Sequence, residues 1–138
     1  MKHPAEFRLN EEKKNMSTIT LTKENFESTI TSEGITFVDF WAEGCGPCRM
    51  FAPVFEDASG KYPEITFGKV DTEDQQELAA AAGISSIPTL MAFRDGILVF
   101  SQPGALPAPS FAELIDAVVA LDMEEVRAEV AKQQVNQD

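Results

Sequence analysis

The sequence predicts a single α/β domain, a mixed central β-sheet with helices on both faces. The chain has 138 residues, 43% of them apolar and ten of them Phe, so it can bury one sizeable core. Strand-like and helix-like segments alternate along most of the chain, which favours parallel pairing of the strands. Near the end, two strand-like segments flank Asp95-Gly96, a strong hairpin signal that adds an antiparallel pair.

The elements of the first half follow from the spacing of the apolar residues. Residues 18–21 are a short strand candidate, and residues 22–30 suit a short helix with Thr22 as its N-cap. Residues 35–41 (ITFVDFW) form a nearly continuous apolar run, which is typical of a strand buried on both faces. A helix is expected next, with an apolar stripe formed by Met50, Phe51, Val54, Phe55 and Ala58.

The second half completes the order β-α-β-α-β-α-β-β-α. Residues 65–70 read as a strand and residues 71–82 as an Ala-rich helix. Residues 89–93 and 97–100 are the two strands of the hairpin. From Ser110 the apolar residues recur at helical spacing, so the core ends in an amphipathic helix.

Two segments are expected to lie outside the domain, which we place at residues 17–121. Residues 1–16 are a polar leader, expected to be mobile, and they contain no apolar segment of the kind a signal peptide needs. This pattern predicts a cytoplasmic protein. Residues 122–138 form an acidic tail, for which the sequence leaves open a weakly amphipathic helix or a solvated, fraying segment.

The charge of the chain restricts its partners. Lys and Arg number 11 and Asp and Glu number 23, so the net charge is −12. Binding of nucleic acid without sequence preference needs Lys and Arg to replace phosphate counterions, and anionic membranes also attract basic surfaces. We therefore expect neither a nucleic acid nor a membrane as partner, and we expect a monomer.

Chemistry is indicated by Cys45-Gly46-Pro47-Cys48, which holds both cysteines of the chain between a buried strand and a helix. Cys45 falls at the predicted helix N-terminus, where unpaired N–H groups and the helix dipole stabilise a thiolate. Pro47 suits the first helical turn, and Cys48, one turn further, is expected to be more buried. The pattern predicts that Cys45 attacks a disulfide and that Cys48 resolves the mixed disulfide.

Three other interpretations of the cysteine pair are possible. Two buried apolar residues are disfavoured because Gly46-Pro47 is turn chemistry. A structural zinc site needs four ligands, and the chain offers no third Cys and only the remote His3, so no metal is expected. A purely structural disulfide across so small a ring would constrain the unfolded chain little.

The motif and its surroundings resemble the thioredoxin family. The resembling residues are VDFWAEGCGPCRMFAP at positions 38–53, followed by Ile87-Pro88-Thr89, Asp95-Gly96 and Gly104-Ala105. The resemblance spans roughly residues 17–121 and implies the thioredoxin fold. It also implies a protein-disulfide reductase that acts on disulfide-bearing client proteins in cytoplasmic redox homeostasis. Such an enzyme needs no bound cofactor and takes electrons from an NADPH-linked thioredoxin reductase.

Asp39 and Lys69 gain roles from the same resemblance. Asp39 is a carboxylate within an apolar strand, on the strand face of Phe37 and Trp41, and desolvation there would raise its pKa. The resemblance makes it the base that deprotonates Cys48, with Lys69 as its partner. From the residues alone, Asp39 could instead face solvent at a strand edge, and Lys69 could be an ordinary snorkelling lysine, whose stem is buried while its ammonium reaches solvent.

The resemblance also implies a surface on which clients dock. It makes Ile87–Pro88 a cis bond beside the cysteines, where the backbone of Ile87 would pair with a substrate segment. We define the docking surface by Gly44, Gly46, Pro47, Ile87, Pro88, Gly104 and Ala105. Read without the resemblance, Pro88 is a proline at a strand start and Gly104 a loop glycine.

One departure from the family concerns Gly44. Most members have Trp immediately before the first cysteine, so this chain lacks the largest apolar element of the docking surface. The redox pair does not require an indole. The change nevertheless keeps open an alternative, a non-catalytic binding module or holdase that uses the apolar surface around the motif.

Overall fold

The fold is organised around the strand that contains Asp39. The computed structural model describes residues 17–137, with side chains described to residue 135. The strands are β1 (Ile19–Thr20), β2 (Ile35–Trp41), β3 (Thr66–Asp71), β4 (Thr89–Arg94) and β5 (Ile97–Pro103). Their order in the sheet is β1-β3-β2-β4-β5, with β3 parallel to both of its neighbours and the pairs β2–β4 and β4–β5 antiparallel. The predicted mixed central sheet is confirmed.

Helices cover both faces of this sheet. They are α1 (Phe26–Ile30), α2 (Gly46–Lys61), α3 (Gln76–Ala81), α4 (Ala108–Val119) and α5 (Met123–Gln137). Alternate residues of β2 point to opposite faces: Phe37 packs with residues of α2 and α4, whereas Val38 and Phe40 pack with residues of α1 and α3. Burial on both faces explains why β2 is apolar without interruption except at Thr36 and Asp39.

A cluster of phenylalanines fixes α2 against the sheet. Its members are Phe37, Phe51, Phe55, Phe67 and Phe111, each at most 1% exposed. The ring centroids of Phe37 and Phe111 lie 5.4 Å apart, and those of Phe51 and Phe111 lie 5.3 Å apart, both edge to face. Aromatic pairs of this geometry contribute about 0.5–1.5 kcal/mol each beyond their buried area. The cluster therefore anchors the helix that carries the cysteines.

The first helix begins later than predicted. The carbonyl of Thr22 accepts hydrogen bonds from the amides of Asn25 (3.2 Å) and Phe26 (2.9 Å), and the Asn25 side chain accepts one from the Thr22 amide (2.7 Å). The Oγ1 of Thr22 also accepts a hydrogen bond from the Glu24 amide (3.3 Å), as a cap does, but Thr22 opens the turn that precedes α1, and the N-cap of α1 is Asn25. The physical reason is that Thr and Asn side chains bond the nearby backbone as readily in a turn as at a helix start.

The helix predicted over residues 71–82 also begins later than expected. The Asp71 carboxylate accepts hydrogen bonds from the amides of Glu73 (3.0 Å) and Asp74 (3.4 Å), which forms a turn. Helix α3 starts only at Gln76. Asp71 itself is the last residue of β3.

The tail beyond residue 121 forms helix α5 as far as Gln137. Asp122 accepts hydrogen bonds from the amides of Glu124 (3.0 Å) and Glu125 (3.4 Å) at the start of this helix. Met123 is buried, and Arg127 pairs with Asp95 at 3.2 Å. The predicted leader, residues 1–16, lies outside the described residues. None of the helices within residues 17–137 has the length and apolar character needed to span a bilayer.

Candidate redox site

The two cysteines lie at the start of α2, close to the end of β2. Residues 42–45 connect the two elements, and Cys45 is the N-cap of α2 with extended backbone angles (φ −95°, ψ 113°). Its Sγ accepts a hydrogen bond from the Cys48 amide at 3.2 Å. Cys45 and Cys48 form a disulfide, with their Cα atoms 5.2 Å apart. The structure is therefore that of the oxidised protein.

The two sulfur atoms differ in access. Cys45 is partly exposed, whereas Cys48 is 3% exposed. The first turn of α2 contains no acidic residue, so nothing there offsets the amide donors and helix dipole that would stabilise an anion on Cys45. Cys45 is thus the more accessible of the two cysteines, and it lies where the amide groups and the helix dipole favour a negative charge.

The residues that follow α3 approach Cys45 from the other side. The Ile87–Pro88 bond is cis, as the resemblance implies, and the Ile87 carbonyl oxygen lies 3.7 Å from the Sγ of Cys45. The Gly104 amide donates a hydrogen bond to the Pro88 carbonyl at 2.8 Å. Gly104 has a φ of 109°, a conformation that side-chain-bearing residues rarely adopt. Residues far apart in the sequence are thus brought together around one sulfur atom.

The remaining members of the predicted docking surface differ in exposure. Gly44, Gly46, Pro47 and Gly104 are exposed, Ile87 and Ala105 are partly buried, and Pro88 is buried. A Cβ added at Gly44 would meet nothing within 4 Å. The neighbours of Gly44 therefore leave room for a β-carbon at this position.

Asp39 is a buried carboxyl group without a hydrogen-bonding partner. It is 1% exposed, and within residues 17–137 no group donates a hydrogen bond to either of its side-chain oxygens. Burial raises the pKa of Asp39 from 3.8 to about 7, Lys69 opposes this rise, and Glu56 adds to it. The alternative of an Asp facing solvent is wrong, and the expected rise in pKa is confirmed.

Lys69 lies beside Asp39 but pairs with another residue. The two are register partners on the parallel strands β2 and β3. The Nζ of Lys69 lies 3.6 Å from an Oε of Glu56 and 5.0 Å from the centre of the Trp41 ring. Only 18% of the Lys69 side chain is exposed, so most of its stem is buried.

Sequence reasoning missed Glu56. A signal was present, because Cys48, Ala52 and Glu56 recur every four residues and so share one face of α2. A cleft of about 350 Å³ opens beside this face. It is lined by Trp41, Ala42, Glu43, Cys48, Arg49, Ala52 and Lys69. The cleft connects the buried cysteine and the lysine with the surface.

The described residues do not suggest a metal centre. Within residues 17–135 no group of three or more His, Cys, Asp and Glu side chains is arranged to hold an ion. His3 lies outside the described residues. The chemistry available at this site is that of the two sulfur atoms and the nearby carboxyl group.

Comparison with known proteins identifies the family. The sequence model of the thioredoxin family matches residues 17–117. The putative thioredoxin 2 of Streptomyces coelicolor is 56% identical over 118 residues, which cover 86% of this chain and 88% of that protein. The thioredoxin of Bacillus subtilis is 38% identical over 102 residues, which cover 73% of this chain and 97% of that protein.

Solved structures agree. Plasmodium falciparum thioredoxin superposes with a TM-score of 0.67 at 33% identity, covering 72% of this chain and 98% of its own. Malassezia sympodialis thioredoxin gives a TM-score of 0.65 at 30% identity, covering 72% and 89%. The similarity thus includes the fold and the sequence of residues 17–117. The chain belongs to the thioredoxin family and is a thiol–disulfide oxidoreductase whose redox-active pair is Cys45 and Cys48.

Proposed function

We propose that this oxidoreductase works as a reductase of disulfides in client proteins, in the cytoplasm, with an NADPH-linked thioredoxin reductase as its electron donor. The observation that carries the proposal is the asymmetry of the sulfur pair. One sulfur is accessible at a helix N-terminus, and the other is buried one turn along the same helix. The relatives that bear the name thioredoxin support the reaction class.

In the first step, the Cys45 thiolate attacks one sulfur of a client disulfide. A Cys45–client disulfide forms, the client's own S–S bond breaks, and the second client sulfur leaves as a thiolate. The amide groups at the start of α2 favour the attacking anion because they would otherwise lack partners. Cys45 is the catalytic nucleophile in this proposal.

In the second step, Cys48 loses its proton and attacks the Sγ of Cys45. The Cys45–Cys48 disulfide forms and the client leaves as a thiolate, so two electrons have moved from the protein to the client. Asp39 takes the proton, since it lies on the face of β2 that α2 covers and a pKa near 7 matches a base at neutral pH. Lys69 modulates the charge of Asp39.

The client is held as an added extended segment. The Ile87 backbone beside Cys45 offers hydrogen-bonding groups, and Gly44, Gly46, Pro47, Pro88, Gly104 and Ala105 form the surrounding surface. The approach of the Ile87 carbonyl to 3.7 Å from the Sγ of Cys45 supports this arrangement. A client bound there would present its disulfide to Cys45.

The test is NADPH-coupled reduction of a protein disulfide with thioredoxin reductase. The wild type should turn over, Cys45→Ser should lose all activity, and Cys48→Ser should react once and remain as a mixed disulfide detectable by mass spectrometry. Turnover by Cys45→Ser, or trapping by that variant in place of Cys48→Ser, would contradict the assigned roles. If the double variant protected clients from aggregation while the wild type reduced none, the holdase alternative would replace the proposal.

A further inference from the structure

One charged residue near the redox pair, Glu56, has no role in the proposed mechanism. In that mechanism Asp39 accepts the proton of Cys48 and Lys69 modulates the charge of Asp39. Yet Glu56 is the residue with which the Lys69 ammonium pairs, at 3.6 Å. Only 32% of the Glu56 side chain is exposed, so this pair is partly shielded from solvent.

The sheet directs Lys69 toward Asp39. Residues in register on neighbouring parallel strands point to the same face, and Asp39 and Lys69 are such partners. The ammonium nevertheless donates no hydrogen bond to Asp39, whose two oxygens have no donor within residues 17–137. Instead, the lysine side chain lies across the ring of Trp41 and ends at Glu56 on α2.

We propose that Glu56 is a positioning residue that holds the Lys69 ammonium away from Asp39 and thereby controls how readily Asp39 accepts the proton of Cys48. The part that concerns Cys48 rests on the proposed function. The part that concerns Asp39 and Lys69 does not, because it describes a charge arrangement in the oxidised protein.

Both effects of Glu56 on Asp39 have the same sign. Its negative charge disfavours a second negative charge nearby, and by holding Lys69 it withdraws the cation that would favour one. Accordingly, Glu56 raises the pKa of Asp39, while Lys69 lowers it. Removal of the Glu56 charge should thus make Asp39 ionise at lower pH.

The other surroundings of Asp39 do not supply a competing charge. Strand β3 contributes Lys69 and α2 contributes Glu56. On β4 the register partner of Asp39 is Leu90, and α4 packs on this side through Phe111, Ile115 and Val118. Among the described residues, Lys69 and Glu56 are the charged groups that act on Asp39.

The direct experiment follows the Asp39 carboxyl carbon by NMR titration in the oxidised protein, where the cysteines do not titrate. In Glu56→Gln the titration midpoint of Asp39 should fall by about one pH unit. In Glu56→Asp, which keeps the negative charge, the midpoint should stay close to that of the wild type. Asp57→Asn is the matched control. It removes one negative charge from the next position of α2, where the carboxylate is exposed and pairs with Lys61, and it should leave the midpoint unchanged.

A double-variant cycle tests the role of the lysine. Lys69→Met should raise the midpoint of Asp39. If Glu56 acts by holding Lys69, Glu56→Gln should lower the midpoint less in the Lys69→Met background than in the wild type. An equal fall in both backgrounds would overturn the holding role, and no fall in either would overturn the proposal altogether.

The kinetic experiment measures resolution of a preformed Cys45 mixed disulfide as a function of pH. In Glu56→Gln the acid limb of the rate profile should move to lower pH by the same amount as the Asp39 midpoint, and the plateau should fall because Asp39 is then a weaker base. A shifted midpoint with an unmoved profile would contradict the role of Asp39 in the proposed function and leave the charge arrangement standing. If the wild type did not reduce client disulfides, the proposed function would be refuted, whatever the titration of Asp39 showed.

Discussion

At the scale of single residues, Asp39 shows a conflict between stability and chemistry. It occupies a strand position that apolar side chains would fill, and it is buried without a hydrogen-bond donor from the described chain. Such a group costs free energy when it is charged, which is why its pKa rises. The same rise brings the carboxyl group into the pH range in which it can exchange a proton with a thiol.

Asp39 should make the stability of the protein depend on pH. Its pKa is about 7 in the folded state and 3.8 is its ordinary value, so the folded state binds this proton more tightly. Between about pH 4 and pH 7, Asp39 is ionised in the unfolded chain but still largely protonated in the folded chain, so the free energy of unfolding of the wild type falls as the pH rises. Above about pH 7, Asp39 is ionised in both states and the free energy of unfolding falls no further. The free energy of unfolding of Asp39→Asn, relative to the wild type, should rise over this range by on the order of 3 kcal/mol.

Urea unfolding of the oxidised proteins at pH 4.5 and pH 8 measures this difference. Asp57→Asn serves as the control because that carboxylate is exposed on α2, and its stability should follow the wild type at both values. A difference between Asp39→Asn and the wild type that is the same at both values would show that Asp39 ionises alike in the folded and unfolded chain.

The limits of the sequence are also visible at single residues. The thiol pair, the burial of Asp39 and the cis bond before Pro88 follow from local pattern and from family resemblance. Glu56 does not, because its significance depends on where the Lys69 ammonium ends, 13 residues further along the chain and on another element. Helical spacing alone places Glu56 on the Cys48 face without indicating a partner.

At the scale of elements, strands were better predicted than helix starts. Strand β2 has the bounds expected, since a buried strand is marked by a continuous apolar run. The starts of α1 and α3 were misplaced because Thr22 and Asp71 bond the backbone of turns. The side-chain oxygen of Thr or Asp can accept a hydrogen bond from the backbone of a turn or from the first turn of a helix. Packing against the sheet decides which of the two forms.

The loop between β2 and α2 contains Gly44, a member of the proposed docking surface. Gly44 is exposed, and a Cβ there would meet nothing within 4 Å, so a side chain can leave the backbone at this position without a clash at its β-carbon. We expect Gly44→Trp to lower the KM for a protein disulfide by about three- to tenfold, since an indole that becomes buried on client binding adds on the order of 1 kcal/mol.

Steady-state kinetics of Gly44→Trp beside Gly44→Ala provide the measurement. The alanine variant adds one methyl group and tests the effect of reduced backbone freedom alone. If alanine lowered the KM as much as tryptophan, the loop's flexibility and not its apolar area would limit binding.

At the scale of the whole molecule, the sheet order explains how distant residues form one site. The three central strands β3, β2 and β4 carry Lys69, Asp39 and the segment after Pro88, and the parallel pair β3–β2 places Lys69 beside Asp39. The family model ends at residue 117, whereas the chain forms helix up to Gln137. Helix α5 therefore lies beyond the part of the chain that the family model matches.

The C-terminal boundary of the folded unit can be inferred from Arg94. Its Nη1 donates hydrogen bonds to the carbonyls of Val118 (2.8 Å), Val119 (2.9 Å) and Leu121 (3.0 Å), which closes the end of α4. Helix α5, by contrast, contacts the domain through the buried Met123 and through the Arg127–Asp95 pair, which is partly exposed. We expect a chain that ends at Leu121 to lose about 1–3 kcal/mol of unfolding free energy and to keep its reductase activity.

A chain that ends at residue 117 is the matched comparison. It lacks the three carbonyls that Arg94 binds and the buried Val118, so it should lose several kcal/mol more. Urea unfolding and NADPH-coupled reduction of both truncated chains give the measurement. Equal stability of the two would mean that Arg94 does not close the domain. Loss of activity in the chain ending at Leu121, with its fold intact, would instead place α5 in client or reductase binding.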